Sequence, residues 1–197
     1  MNAAHDPGAG FAQDVDAMTL ARAQRGDMQA FAAIYERFGR ACFMLALRML
    51  GQRQHAEDLV QEVFLKMMDT LRSYRGDAPF GAWLKRMAVN ACIDHLRRQR
   101  GNLEDDAEAA FAHLPGDHAE AASAVDAAAL LARLPPRARA VLVLHELEGY
   151  THAELAALFG QSESYSKSIV ARALGRLRTL VSTASPLQQV PPCPQKN

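Results

Sequence analysis

Trp83, Arg86, Asn90, Asp94 and Arg97 stand three or four residues apart along one stretch of the chain. At about 100° per residue they share one face of a helix, and Leu84, Ala88, Ala91 and Cys92 share the other. An aromatic ring, a carboxamide, an acid and two guanidiniums in one strip can stack on bases, hydrogen-bond base edges and clamp phosphate. Lys85, Arg98 and Arg100 add attraction to a polyanion without regard to sequence. Tyr74 and Phe80, just upstream, are further stacking candidates. The same spacing also describes a solvated face, with Trp83 tucked into a core and Asp94 paired with Arg97 or Arg98 across a turn. On balance Trp83 reads as structural, and Asn90 and Arg97 as functional.

A second constellation lies further on. Thr151-His152-Ala153-Glu154 fits a capping box, in which the Thr hydroxyl accepts from the backbone three residues on and the Glu reaches back. A short helix from Glu154 to Phe159 follows, and Gly160 supplies a turn residue tolerant of positive φ. Ser162 caps the next helix, about Glu163 to Leu180, with Val170, Ala173, Leu174, Leu177 and Val181 turned inward. Ser164, Tyr165, Ser168, Arg172, Arg176 and Thr179 lie opposite. Two helices joined by a tight turn, the second polar and basic outside, match a DNA-reading helix-turn-helix. A plain helical hairpin is the competing description.

The elements that must position these residues are helical throughout. Ala and Leu abound, and no segment alternates with period two. Asp27 caps a helix with Phe31, Ile34, Tyr35 and Phe38 at helical spacing, which runs to Leu50 and ends at Gly51. A second spans about His55 to Leu71, its inward stripe Leu59, Val60, Val63, Phe64, Met67 and Leu71. Residues 74–80 read as a loop, and a third long helix covers about Gly81 to Gln99. Pro136 opens a helix carrying Val141, Leu142, Leu144 and Leu147, and Gly149 ends it. The expected fold is all-α: two small helical domains, 18–100 and 127–181, joined by a flexible acidic linker. Segments 1–17 and 182–197 read as disordered tails.

The 197 residues carry 22 basic and 22 acidic side chains, but unevenly. Residues 18–100 hold 14 basic and 8 acidic groups, 101–126 hold 7 acidic and none basic, and 127–180 hold 7 basic and 4 acidic. Two basic modules on an acidic connector suit a common polyanion. No apolar run approaches the length of a spanning helix, and the N-terminus lacks a secretory pattern, so a cytoplasmic protein is expected. Cys42, Cys92 and Cys193 are far apart and show no ligand spacing, so neither metal nor disulfide framework is expected. His145-Glu146 and His152 miss HExxH, which needs the second His four residues after the first. No Gly-rich phosphate loop or Gly-x-Ser-x-Gly elbow occurs. No catalytic residue and no cofactor is therefore assigned.

The run AEDLVQEVFLKMMDTLRSYRGDAPFGAWLKRMAVNACIDHLRR resembles the second region of bacterial RNA polymerase sigma factors, above all the small extracytoplasmic-function (ECF) group. LARLPPRARAVLVLHELEGYTHAELAALFGQSESYSKSIVARALGRLR resembles that group's fourth region. The resemblance implies that Asp58, Gln61 and Glu62 dock on the clamp helices of the largest polymerase subunit, with the flap as a further contact. It implies that Tyr74, Phe80, Lys85, Arg86, Asn90, Arg97 and Arg98 open and read the minus-ten element. It places Ser164, Tyr165, Lys167, Ser168, Arg172 and Arg176 at the minus-thirty-five element, and it implies control by an anti-sigma factor. One departure is local: the family usually has Val-Lys-Ser-Arg where this chain has Ser166-Lys167-Ser168-Ile169. Either the minus-thirty-five contact differs, or it leans on Tyr165, Lys167 and Arg172. The alternative is a stand-alone helix-turn-helix regulator, which would bind duplex DNA without polymerase.

Overall fold

A computed structural model describes residues 10–99 and 127–184. The expected linker and the outer parts of both expected tails, Cys193 included, lie outside the described residues. Within them the structure is all helical: α1 (Ala17–Gln24), α2 (Met28–Leu50), α3 (Arg53–Thr70), α4 (Phe80–Gln99), α5 (Ala127–Ala132), α6 (Pro136–Glu146), α7 (His152–Phe159) and α8 (Glu163–Ala184). One 3₁₀ turn, Leu71–Ser73, follows α3.

The caps fall where side-chain chemistry put them. Asp27 accepts from the backbone of Gln29 and Ala30 at the start of α2, and Gly51 ends that helix at φ 72°. Pro136 occupies the first turn of α6, and Thr151 and Glu154 complete a capping box on α7. Gly160 closes α7 at φ 64°, and Ser162 Oγ accepts from Tyr165 N at 3.1 Å on α8.

The first core packs α2, α3 and α4 around Phe38, Leu59, Met67 and Leu84, all essentially inaccessible. Each such side chain contributes roughly 1.5–3 kcal/mol by leaving water. The whole expected stripe of α3 is buried. Tyr35 departs from its expected stripe: it is 51% exposed and meets Phe64 edge-on at 4.8 Å. Cys42 and Cys92 are buried, and desolvation pushes the Cys42 thiol up to about 12, leaving it an inert apolar group.

Two expected boundaries move. The segment from Gly10 to Asp16 is packed rather than a tail. Val15 is buried, Gln13 Nε2 donates to Arg37 O at 3.2 Å, and Arg37 donates to Asp14 O. It lies so close to α4 that a Cβ on Gly81 would stand 1.9 Å from Phe11 O. Asp16 then caps α1 through Thr19 N at 2.8 Å. At the other end α8 continues to Ala184. Two stripe assignments also fail: Leu147 is 55% exposed and Val181 is 44% exposed. In α8 the buried line is Ser166, Ile169, Val170, Ala173 and Leu180, rotated from the expected one.

Candidate polymerase and nucleic-acid interfaces

On α3 the buried stripe leaves Asp58, Gln61 and Glu62 side by side on the solvent face. Lys66, Asp69 and Leu65 extend that face, Leu65 being large, apolar and exposed. Glu62 pairs with Arg98 of α4 at 3.3 Å, across the edge where the two helices meet.

The loop before α4 is built for shape. Gly76 turns at φ 80°, Tyr74 Oη donates to Ala78 O at 2.6 Å, and Gln24 of α1 donates to the carbonyls of Leu71 and Tyr74. Tyr74, Phe80 and Trp83 form an aromatic cluster with ring centroids 5.3–5.5 Å apart. Phe80 is its buried floor, seated on Phe38 at 5.5 Å, and has no free face for a base. Tyr74 and Trp83 are half-buried above it.

Beyond the cluster, Arg86, Asn90, Asp94, Arg97 and Arg98 line the exposed side of α4, and Lys85 is half-buried beside them. Asp94 pairs with Arg97 at 3.4 Å. These groups do not face open solvent alone. A cleft of about 1080 Å³ separates them from the second domain, with Tyr74, Trp83, Lys85, Arg86 and Asn90 on one wall and Glu148, Tyr150, Glu154 and Leu158 on the other. Lys85 Nζ meets Glu148 Oε2 at 2.7 Å and its backbone oxygen at 3.2 Å, and Arg97 donates to Leu158 O at 2.9 Å.

Arg139 joins the domains from beneath. Its guanidinium donates to Met49 O at 3.0 Å, to Leu50 O, and to Ala132 O at 3.2 Å. Carbonyls at the end of α2 lack helical partners, and a cation at a helix C-terminus is favoured by the dipole. Burial pulls the Arg139 pKa down from its usual value, yet arginine keeps its charge. The fit requires Gly51, whose Cβ would stand 2.6 Å from the guanidinium carbon. Sequence reading missed both Arg139 and Glu148. The signal was present: Ala138 and Ala140–Leu144 are apolar all round α6, so a charge among them must be buried and satisfied.

On the helix-turn-helix, Ser164, Lys167 and Ser168 are exposed, while Tyr165, Arg172 and Arg176 are half-buried. Tyr165 lies against Arg137, whose guanidinium carbon is 5.2 Å from its ring centre. Lys167 stands 3.9 Å from Glu163, and Arg172 donates to Ser168 O at 3.4 Å. The departing pair is explained by packing. Ile169 is wholly buried, and Ser166 bonds His152 Nδ1 at 3.0 Å. His152 stacks on His145 at 4.3 Å, and His145 Nδ1 donates to Tyr150 O at 2.8 Å. A hydroxyl in this core is therefore satisfied by an imidazole, as buried polar groups require.

Comparison with known proteins agrees with this geometry. Residues 34–102 match Sigma-70 region 2, and residues 125–177 match Sigma-70 region 4. The ECF RNA polymerase sigma factor SigM of Mycobacterium tuberculosis is 33% identical over 166 residues, 84% of each chain. RNA polymerase sigma-H factor of Pseudomonas aeruginosa is 32% identical over 158 residues, 73% of this chain and 82% of its own. Among solved structures, CnrH in complex with the cytosolic domain of CnrY superposes with a TM-score of 0.51 at 26% identity, over 85% of this chain and 97% of that one. With both regions present in this order on one helical chain, the protein belongs to the ECF group of RNA polymerase sigma factors.

Proposed function

We propose a division of labour among the residues of this sigma factor. Asp58, Gln61 and Glu62 seat α3 on the polymerase clamp helices, and the flap receives the second domain. Lys85, Arg86, Asn90, Arg97 and Arg98, with Tyr74 of the preceding loop, hold the opened minus-ten strand. Flipping a base out of the stack costs a few kcal/mol, and stacking and edge contacts repay it. Phe80 acts from below, by holding Tyr74 and Trp83 in place. Ser164, Lys167, Ser168, Arg172 and Arg176 meet the minus-thirty-five element, and Tyr165 props the N-terminal turn of α8 against Arg137.

One observation carries the reading. α4 is sealed on one side by Leu84, Ala88 and Cys92 and carries cations and a carboxamide along the other, next to an aromatic cluster. That is the combination an unpaired strand needs. No step of this task asks the chain to catalyse anything, and the polymerase it serves sets a cytoplasmic location. Among the described residues no helix is long and apolar enough to cross a membrane. CnrH is held with the cytosolic domain of CnrY, and a protein partner of anti-sigma type is proposed for this chain too. Transcription from a promoter library by purified core polymerase, with and without this chain, tests the reading. Chain-dependent start sites support it, and unchanged start sites overturn it.

A further inference from the structure

α1 precedes the residues that match Sigma-70 region 2, yet its last side chain reaches the loop that leads into α4. Gln24 is half-buried there, and its Nε2 donates to Leu71 O and to Tyr74 O, both at 3.3 Å. Leu71 O also accepts from Tyr74 N at 3.1 Å, so the amide bridges both ends of the 3₁₀ turn from which the loop departs. A carboxamide nitrogen carries two donors, matching the two carbonyls in number. The mount of this side chain is fixed at both ends. Asp16 caps the start of α1, and the segment before it is tied to Arg37 of α2. At the far end Arg22 Nε donates at 2.7 Å to the Asp27 carboxylate, which also caps α2. Groups held from helices are placed more precisely than groups left to loops. Burial, then Asp14 of the N-terminal segment and Asp77, push the Tyr74 phenol above its ordinary value. The phenol therefore stays protonated and keeps donating to Ala78 O.

Resting on the reading of Tyr74 and α4 given above, we propose that Gln24 is a positioning residue for promoter opening. Its amide fixes the turn that carries Tyr74, so the ring meets an unstacked base already in place. Gln24 touches no DNA and acts through Tyr74. A loop that each incoming strand had to order would lose part of its contact energy to that ordering. The role needs a donor at this point: a carboxylate of the same shape would turn oxygen toward both carbonyls.

Gln24→Met keeps the length of the side chain and removes both hydrogen bonds, and Gln24→Glu keeps its shape. Each is assembled with core polymerase on a promoter recovered from the library, and permanganate reactivity of the opened strand is read. Opening should fall about fivefold in Gln24→Met, the loss expected when such bonds go to water, and at least as far in Gln24→Glu. Co-elution with core polymerase should stay at the wild-type level. A double-mutant cycle separates positioning from general damage to the fold. In a Tyr74→Ala chain, Gln24→Met should change opening by less than about twofold, because the ring it places is gone. Trp83 is the single tryptophan and its ring lies 5.3 Å from that of Tyr74. Its emission in the free Gln24→Met chain should move to the red as the neighbouring ring leaves. Unmoved emission, wild-type opening in both Gln24 variants, or a loss undiminished without Tyr74 each overturns the proposal. Wild-type opening in Tyr74→Ala sinks the reading of the loop itself. A loss in Tyr74→Ala beside wild-type opening in the Gln24 variants sinks the positioning role alone.

Discussion

The exposed faces of α3 and α4 are built from the same fold and treated in opposite ways. Both helices bury one apolar side in a common core. The α3 face is acidic and open, its ion pairs Glu62 with Arg98 and Glu57 with Arg53. The α4 face is basic and partly covered, its Lys85 and Arg97 engaged by the second domain. The open face is the one proposed to meet polymerase, and the covered one the face proposed to hold DNA. A surface of cations and aromatic rings attracts any nucleic acid, because phosphate attraction is indifferent to sequence.

Two substitutions set the faces against each other. Asp58→Arg reverses a charge on the open face and should weaken core polymerase binding by at least about 2 kcal/mol, some 30-fold. Circular dichroism should be unchanged, since Asp58 is exposed. Co-elution with core polymerase measures it, and wild-type affinity would remove α3 from the interface. Asn90→Ala on the other face should do the converse. Polymerase binding stays, while permanganate reactivity of the opened promoter falls roughly five- to tenfold, the loss of about 1 kcal/mol of base contact. Unchanged reactivity would assign the reading to Tyr74 and the arginines alone.

Gly51→Ala probes the joint between the two faces rather than either one. Its positive φ makes any side chain unfavourable by about 1 kcal/mol, and the new methyl would also meet Arg139. The melting temperature should fall by several degrees, with Asp58-dependent polymerase binding intact. A melting temperature equal to wild type would show that the α2 end and Arg139 are less tightly fitted than the distances say.

Much of this was readable in advance, and the exceptions share a cause. Helices α2, α3 and α4, the capping box and the Gly160 turn follow from local rules, in which spacing and cap chemistry act within a few residues. α1 also announced itself locally, through Asp16 three residues before Thr19, but an acidic N-terminus hid it among tail-like residues. The rotated stripe of α8 was not local. Ser166 was expected to turn its hydroxyl toward the core and does so; what the sequence did not show is its partner, His152, fourteen positions earlier. Arg139 reads as one more cation until α2, ninety residues away, supplies its carbonyls. Phe80 was read as a stacking ring because only the tertiary position of Phe38 shows that its faces are taken.

The histidine pairs offer the smallest and most discriminating test, because each domain has one. His55 and His95 meet at 4.8 Å beside the open face, and His145 and His152 stack at 4.3 Å inside the helix-turn-helix. Burial, then the neighbouring His, holds both His95 and His152 below the ordinary value of 6.5. Arg98, Glu62 and Asp58 surround the first, and Lys167, Glu163 and Glu146 the second. With the folded pKa below the unfolded one, the unfolded chain takes up protons first as pH falls. Stability is thus complete above about pH 6.5 and declines as pH drops through the folded values. The lowered carboxylates Asp16, Asp27 and Glu154 act at lower pH, since their unfolded values are 3.8, 3.8 and 4.5, so the two effects separate. Both imidazoles keep part of their surface in water, so the melting temperature should shift by only a degree or two between pH 7.5 and 5.5. His95→Gln should flatten the profile of the first domain's melting and His152→Gln that of the second. A profile unchanged by either variant would show that the paired imidazoles carry no linkage to folding.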